Sequence, residues 1–133
     1  MDREELKTII RELLAEHGCP VRKCALPQVT LSEADRLAPD RRVYTHDVLT
    51  LAESPRLGAG IMEMTESELP WELRYDEVDY VIEGSLTIRC GEAAVTAGPG
   101  EMLFIPRDTQ VCFCAPKHAR FLYVTYPADW QKQ

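Results

Sequence analysis

Acidic and aromatic residues alternate in one stretch near the middle of the chain, Trp71 to Gly84, and these are the residues that could do chemistry. Every second side chain of a β-strand points to the same face, so this stretch, taken as one strand, places carboxyl groups among apolar ones. The residues that share the face are Trp71, Leu73, Tyr75, Glu77, Asp79 and Val81. Glu77 is the central one, because a carboxyl on such a face is either a solvated edge charge or a buried group that needs a partner.

A buried Glu77 would have one of two roles. Desolvation raises the pKa of a buried carboxyl, Asp79 raises it further if the two groups approach closely, and an inward Arg120 would oppose both effects. Glu77 then either acts as a general base or hydrogen-bonds a cationic or hydroxylated ligand, with Tyr75 orienting it. The candidate catalytic residues are therefore Glu77, Tyr75 and Asp79. The simpler alternative is a buried carboxylate that its neighbours satisfy.

The elements that must position these residues are short strands. Apolar runs separated by turn signals extend over Val43 to Leu51, Ala59 to Met64, Trp71 to Ile82, Leu86 to Cys90, Ala93 to Ala97, Met102 to Ile105, Val111 to Cys114 and Phe121 to Tyr126. Turns about every 8 to 12 residues are typical of a β-sandwich or small barrel of jelly-roll type. The turn signal Glu83-Gly84, followed by renewed alternation from Ser85 to Cys90, predicts a β-hairpin.

The N-terminal segment predicts an amphipathic helix over residues 4–17, ended by Gly18 and Pro20. Its apolar stripe comprises Leu6, Ile9, Ile10, Leu13 and Leu14. An isolated helix of this length is marginal in water. The stripe should therefore pack on its own domain, on a dimer mate or on another partner.

A connector is predicted after this helix, because prolines interrupt residues 19–41. Only Gln28 to Leu31 resembles a short strand, and Ser32 is placed to cap a single helical turn with Asp35 at the capping-box position. The chain is thus divided into an N-terminal amphipathic helix (1–18), a connector (19–41) and a β domain (42–130).

Composition limits the possible partners and compartment. A net charge of −7 and a sequence pI near 5.0 are the wrong sign for gripping a phosphate backbone, so no nucleic acid is expected. No apolar run is long enough to span a membrane, and the first residues lack the apolar core of a signal peptide, which favours a cytoplasmic protein. Five cysteines with no CxxC pair indicate reduced thiols.

Two segments match the paired motifs of the cupin superfamily. The first motif there runs His-x-His, three or four residues, Glu, six residues, Gly, and here Glu77 and Gly84 hold the last two places. The second motif opens with Gly and five residues before Pro, as Gly100 to Pro106 does. The places of the metal-binding histidines fall on Trp71 and Leu73, or on Pro70 and Glu72, and on Val111. The resemblance implies an all-β cupin fold, a double-stranded β-helix or jelly-roll barrel, with a short N-terminal helix.

Three segments resemble the EutQ-type cupins of ethanolamine utilisation, which belong to the RmlC-like cupins. They are PWELRYDEVDYVIEG (Pro70 to Gly84), GEMLFIP (Gly100 to Pro106) and RFLYVTYPADW (Arg120 to Trp130). The resemblance covers residues 42–130. It implies a role in ethanolamine utilisation, in the cytoplasm or within a bacterial microcompartment.

Two functions that need no bound transition metal stay open. In the first, a metal-free barrel pocket binds a small organic ligand without a cofactor, because apolar groups stand where metal ligands would be. The residues expected to line that pocket are Trp71, Leu73, Val111 and Arg120. In the second, which the resemblance implies, the chain is an acetate kinase-like phosphotransfer enzyme that uses ATP and Mg²⁺. The sequence holds no Walker-type loop for the phosphates, but scattered basic residues could still converge.

A metal-dependent cupin enzyme is the third alternative. It needs three or four convergent ligands, and the histidines, His17, His46 and His118, stand far apart in the sequence. We therefore expect no bound transition metal. A pocket plugged by its own apolar residues, with no ligand at all, is the structural alternative to all three functions.

Two apolar surfaces that still need a contact indicate the expected protein partners. Val78, Tyr80 and Ile82 lie on the strand face opposite Glu77 and need cover, which favours a homodimer. The stripe of residues 1–17 would suit docking to a microcompartment shell or cargo protein. A small-molecule ligand completes the expected partners, whereas nucleic acid and membrane are not expected.

Overall fold

The computed structural model of the protein describes residues 1–16 and 18–132. In this part of the chain, one α-helix, α1 (Arg3–Glu16), precedes seven β-strands. The strands are β1 (Val43–Asp47), β2 (Gly58–Leu73), β3 (Asp76–Gly84), β4 (Leu86–Cys90), β5 (Ala93–Ala97), β6 (Met102–Ile105) and β7 (Thr109–Tyr126). Short 3₁₀ turns lie at Leu26–Gln28, Glu33–Asp35 and Trp130–Lys132. The predicted all-β architecture with a short N-terminal helix is confirmed.

Helix α1 begins with a reciprocal cap. The Glu5 amide donates to the Asp2 carboxylate at 2.7 Å, and the Asp2 amide donates to the Glu5 carboxylate at 3.0 Å, which satisfies two backbone donors at the helix start. The apolar stripe stays exposed: the exposed fractions are 50% for Leu6, 37% for Ile9, 48% for Ile10 and 49% for Leu13. His17 and the side chain of Leu14 lie outside the described residues. No described helix is long and apolar enough to cross a membrane.

Two long antiparallel strands, β2 and β7, form the centre of the sheet, with register partners that run from Gly58↔Thr125 to Leu73↔Thr109. A register shift at Glu66, whose φ is +43°, interrupts the ladder between them. On its other edge β7 pairs with β3 through its C-terminal half and with β4 through its N-terminal half. β1 extends the sheet beside β2, β6 beside β3 and β5 beside β4.

The core follows from alternation along these strands. One face of each long strand carries large apolar side chains that are almost fully buried, such as Met62 and Met64 on β2 and Phe121 and Tyr123 on β7. Removing such a group is costly, because truncating a buried Phe to Ala destabilises a protein by roughly 3–5 kcal/mol. The cavity described below lies within this apolar core.

The stretch from Trp71 to Gly84 is not one strand, which corrects the prediction. β2 ends at Leu73, residues 74 and 75 form a bend, and β3 begins at Asp76. Leu73 and Tyr75 are nevertheless both buried, so the inward face continues across the bend. The predicted pairing of the two segments around Gly84 is also wrong, because β3 and β4 each pair with β7 instead of with each other.

Gly84 shows why the chain bends there instead of forming a hairpin. Its φ is +78°, a region that residues with a Cβ rarely adopt. A Cβ at this position would lie 2.0 Å from the His118 carbonyl oxygen of β7. Glycine therefore lets the backbone pass from β3 to β4 while both stay against the same long strand.

The connector packs along the β-domain. The predicted strand from Gln28 to Leu31 is absent, because a 3₁₀ turn at Leu26–Gln28 and extended chain take its place. The predicted cap at Ser32 forms in part: its amide donates to the Asp35 carboxylate at 2.9 Å. The Leu37 amide then donates to the Val43 carbonyl at 2.8 Å, which holds Leu37 against the first strand.

The outer face of β3, β6 and β7 is apolar and exposed. The large residues on it have exposed fractions of 44% for Tyr80, 60% for Met102, 62% for Phe104 and 57% for Tyr126. They are continuous through the ladder, because Tyr80 pairs with Met102 and Val78 pairs with Phe104. We call these four residues the outer apolar surface. An exposed apolar patch on a small domain marks an interaction site.

We predict that a second copy of the chain covers the outer apolar surface in a two-fold homodimer, because a two-fold interface uses the same patch on both subunits. Light scattering should give about twice the monomer mass of 15.1 kDa. Phe104→Glu places a charge in that interface and should shift the protein to monomer. Val95→Glu is the matched control, because Val95 is exposed on β5 outside this surface. A wild-type protein that stays monomeric at micromolar concentrations contradicts the prediction.

Candidate functional site

A small cavity lies between β2, β3, β7 and the C-terminal 3₁₀ turn. It is lined by Leu37, Met62, Leu69, Trp71, Tyr75, Glu77, Phe113, Tyr123 and Trp130. The region in which the centre of a water-sized sphere fits measures about 10 Å³, which is room for about one water molecule. Of the described lining residues, only Glu77 carries a carboxyl group. The cavity is therefore an apolar and aromatic space with one acidic wall.

Trp130, on the C-terminal turn, holds the aromatic wall together. The centroid of its ring lies 5.7 Å from that of Trp71, 6.1 Å from Tyr123 and 6.3 Å from Tyr75. Tilted aromatic pairs at these distances attract one another beyond simple burial. The Trp71 indole N–H also donates to the Tyr75 hydroxyl at 2.7 Å. The rings therefore form a connected wall, which we call the aromatic wall: Trp71, Tyr75, Tyr123 and Trp130.

Glu77 and Asp79 form a buried carboxyl pair on β3. The exposed fraction is 6% for Glu77 and 0% for Asp79. If both were ionised they could only accept hydrogen bonds, and neither oxygen of Asp79 has a donor among the described residues. Burial and the neighbouring Glu77 raise the pKa of Asp79 and so favour its uncharged, protonated form. The pair therefore titrates as a unit that holds a proton well above the usual pH range of carboxylates.

Burial is the main reason why the carboxyl pair retains a proton. It raises the pKa of Glu77 to about 7, an effect that the neighbouring Asp79 carboxyl group partly offsets. The pKa of Asp79 is raised well above its ordinary value, first by burial and then by the negative charge of Glu77. Asp79 is accordingly the member that keeps the proton longer. Near neutral pH, Glu77 can change its charge, which suits either proton transfer or the binding of a cation.

The other polar groups around Glu77 are neutral. Burial raises the pKa of Tyr75 far above its usual value, and the charge of Glu77 raises it further. The pKa of Tyr123 is raised in the same way, with its hydroxyl donating to Asp47 and accepting from the Thr45 hydroxyl at 3.0 Å. Neither phenol therefore ionises near neutral pH.

Thr125 adds a further polar group next to the pair. It is the register partner of Glu77 on β7, and only 1% of its surface is exposed. Its hydroxyl has no hydrogen-bond partner among the described residues. Unpartnered buried polar atoms are costly, and these atoms of Asp79 and Thr125 distinguish this part of β3 and β7 from ordinary core.

The family comparison decides what kind of protein carries this cavity. The family model described as "Ethanolamine utilisation protein EutQ" matches residues 6–132. The chain belongs to the EutQ family. A relative named "Acetate kinase EutQ" from Clostridioides difficile (strain 630) is 53% identical over 111 residues, which cover 81% of this chain and 71% of the relative. This chain spans 37% and 36% of the relatives with the same name from Salmonella typhimurium and Escherichia coli.

Solved structures agree with this assignment. The structure of the Clostridium difficile EutQ protein superposes with a TM-score of 0.81 at 52% identity, covering 84% of this chain and 83% of that one. An RmlC-like cupin from Shewanella frigidimarina superposes with a TM-score of 0.64 at 14% identity, covering 85% of this chain and 96% of that one, which shows the shared fold. The predictions of a EutQ-type protein and of a cupin jelly roll are confirmed.

Several of the predicted site residues meet in this EutQ-family chain. The structure brings Trp71, Tyr75 and Glu77 together around the cavity, with Asp79 buried two residues further along the same face of β3. Leu73 and Val111 are buried in the adjacent core but are not among the described lining residues. Their catalytic and binding roles stay predictions.

Arg120 does not reach the cavity, which corrects the prediction. Its guanidinium binds the Glu63 carboxylate and donates at 2.9 Å to the carbonyl oxygens of both Leu26 and Val29. Arg120 and Glu63 are register partners, and each alternates with inward residues, so both lie on the opposite face of the sheet. Arg120 therefore fastens the connector, and nothing on β7 offsets the charge of Glu77.

The histidines also lie away from the cavity. His46 contacts Asp35 at 3.0 Å, and His118 lies 3.8 Å from Glu83. Within the described residues, no group of three or more His, Cys, Asp or Glu side chains comes together in a way that could hold a metal ion. The residues at the predicted imidazole positions, Trp71, Leu73 and Val111, have no lone pair to offer a metal.

Sequence reasoning missed more than half of the cavity lining. The residues it did not name are Leu37, Met62, Leu69, Phe113, Tyr123 and Trp130. Alternation along β7 places Phe113 and Tyr123 inward and could have indicated them. Trp130 gave a weaker signal, its place at the end of the third EutQ-like segment, whereas Leu37 lies in a connector with no periodicity.

We predict that the Glu77–Asp79 pair makes the protein less stable as pH rises. Between about pH 4.5 and about pH 7, Glu77 ionises in the unfolded chain but stays protonated in the folded one, so its contribution to the free energy of unfolding falls with pH over this range. The contribution of Glu77 to this fall is about 3 kcal/mol. Glu77→Gln should remove it and reduce the contribution of Asp79 as well.

Urea unfolding at about pH 5 and about pH 8 measures how far the free energy of unfolding falls in the wild type and in Glu77→Gln. Ionisable groups elsewhere contribute equally to both proteins, so a difference between the two falls comes from the pair. Glu72→Gln is the matched control, because the Glu72 side chain is half exposed in an ion pair with Arg74. Its profile should follow the wild type. Parallel wild-type and Glu77→Gln profiles would show that the pair is not strained by burial.

Proposed function

We propose that this EutQ-family cupin serves ethanolamine utilisation by binding a small organic ligand in the cavity between Glu77 and the aromatic wall. The observation that carries the proposal is the buried Glu77–Asp79 pair, of which Glu77 lines that cavity. Two desolvated carboxyl groups with no cation beside them among the described residues lower the stability of the domain. Such a cost is typical of a functional site, where strain is retained because the site needs it.

The shape and chemistry of the cavity support a ligand site. Small-molecule sites are concave, mostly apolar and aromatic, and carry a few convergent polar groups. Here Trp71, Tyr123 and Trp130 supply the aromatic part, and Glu77 supplies the polar group. The site works in this proposal without a metal ion or another cofactor. The positions that hold metal ligands in other cupins are apolar here, and they shape the pocket instead.

Acetate kinase activity is the second candidate function, and the name of the Clostridioides difficile relative favours it. Such an enzyme would use ATP and Mg²⁺ and would stabilise the charge on the transferred phosphoryl group with cations. None of the described cavity residues is basic, so the cavity would repel both acetate and phosphate. A kinase site would have to use another surface of the chain or a partner.

We predict that small polar organic molecules bind at the cavity and that the chain alone does not phosphorylate acetate. The sequence contains two tryptophans, Trp71 and Trp130, and both belong to the aromatic wall, so the two indole N–H signals in a nitrogen-15 NMR spectrum report on the cavity alone. A panel of ethanolamine, ethylene glycol and acetate is titrated against them. At least one member should shift both signals saturably, and roughly tenfold more of it should be needed with Glu77→Gln.

The control and the competing outcome are read in parallel. Glu72→Gln should bind as the wild type does, because its side chain is exposed. Formation of acetyl phosphate from acetate, ATP and Mg²⁺ is measured in a coupled assay. Turnover that survives in Glu77→Gln, together with no shift of the indole signals by any panel member, would replace ligand binding by the kinase function.

We also propose that α1 docks this protein to a microcompartment shell or cargo protein. Leu6, Ile10 and Leu13 are each about half exposed on a single helix face, which suits insertion into an apolar groove of a partner. Deleting residues 1–17 from a fluorescent fusion should abolish its co-localisation with shell proteins, as should Leu6→Glu combined with Leu13→Glu. Glu12→Gln, on the same helix, should have no effect. Unchanged co-localisation after the deletion rules the docking role out.

A further inference from the structure

The charge balance of the cavity points to the class of its ligand. We infer that it binds the ammonium group of a small primary amine, with Glu77 as the counter-ion and the aromatic wall around it. This inference rests on the proposed ligand-binding function and adds the chemical class of the ligand. Its first support is electrical: two carboxyl groups lie together, and no described cavity residue carries a positive charge.

The second support is the number of acceptors without donors. Both oxygens of Asp79 and the hydroxyl of Thr125 are buried with no hydrogen-bond partner among the described residues. The Asp79 carboxyl group next to Glu77 thus receives no donor from the described residues. An ammonium group brings three N–H donors and a positive charge, whereas a hydroxyl brings one donor and no charge. Asp79, whose pKa is raised well above its ordinary value, would stay protonated when the amine binds at Glu77.

The third support is the set of rings. Cations are attracted to the faces of Trp and Tyr rings, because the ring quadrupole is negative there. Trp130 lies 5.7–6.3 Å from the rings of Trp71, Tyr75 and Tyr123, so four such rings gather at one side of Glu77. Aromatic rings with an adjacent carboxylate would hold an ammonium group and would repel a carboxylate such as acetate.

The size of the cavity selects among amines. It has room for about one water-sized group, which an –NH₃⁺ group matches and a trimethylammonium group exceeds. A primary amine can therefore place its head beside Glu77 while its short chain lies along the ring of Trp130. A quaternary amine could enter only if the aromatic wall moved apart.

The inference includes a pH dependence, because Glu77 must be ionised to act as the counter-ion. The titratable groups that face Glu77 are Asp79 on β3, Tyr75 in the bend before β3, and Tyr123 on β7, whose hydroxyl is bound to Asp47. β6 contributes only Ile105 and Leu103 as the register partners of the pair. Burial raises the pKa of Glu77 to about 7 and keeps both phenols neutral. Affinity for an amine should therefore rise between about pH 6 and about pH 8 as Glu77 loses its proton.

The test compares ethanolamine with ethylene glycol, which has the same number of heavy atoms but a neutral hydroxyl in place of the ammonium group, and with choline. The two indole N–H signals report binding. Ethanolamine should bind roughly tenfold or more tightly than ethylene glycol and choline. Its affinity should rise with pH. Glu77→Gln should abolish this preference, whereas Glu72→Gln should keep it.

Each outcome separates the inference from the function on which it rests. Equal binding of ethylene glycol and ethanolamine overturns the amine inference but leaves ligand binding intact. No shift with any of the three molecules overturns both. An ethanolamine preference that persists in Glu77→Gln removes Glu77 as the counter-ion. If that variant does not fold, Asp79→Asn replaces it. It should retain the preference for ethanolamine and leave the pH at which affinity rises unchanged, because Asp79 is already neutral when Glu77 ionises. Loss of the preference would show that Asp79, and not Glu77, is the counter-ion.

Discussion

The constraint on which the rest of the structure depends is the burial of two carboxyl groups with no described cation beside them. Glu77 and Asp79 avoid full ionisation because burial raises the pKa of both, and burial has this effect only where water is excluded. The aromatic wall excludes it. A more open cavity would let the pair ionise as ordinary carboxylates do. The small volume of the cavity and the raised pKa of Glu77 are therefore two consequences of one arrangement.

Strand β7 lies at the centre of the sheet and also contributes residues to the candidate site. β7 pairs with β2 on one edge and with both β3 and β4 on the other, and its inward residues include Phe113, Tyr123 and Thr125. The close approach of Gly84 to β7 lets β3 and β4 follow each other along it. Because site and scaffold share this strand, the position of Glu77 relative to the rings depends on the register of the whole sheet.

The cupin fold leaves the chemistry of its interior open, since a fold can host many functions and the site decides between them. In this EutQ-family chain, the residue at the predicted imidazole position next to the cavity is Trp71, whose indole donates to Tyr75. A position that binds metal in other cupins thereby becomes part of an aromatic wall. Glu77 is a buried acid beside this wall, and this arrangement directs the proposals towards an organic cation.

The local sequence pattern predicted one strand face of the site and the jelly-roll architecture. Alternation has a period of two residues, so the sequence alone placed Tyr75, Glu77 and Asp79 on one face, and the spacing of apolar runs indicated the jelly roll. The tertiary structure alone decided which strands pair and what lies on each side of them. Arg120 faces the connector, Trp130 returns from the C-terminus to close the cavity, and β3 turns away from β4 at Gly84. These outcomes depend on contacts between residues far apart in the chain, whose register a local period does not encode.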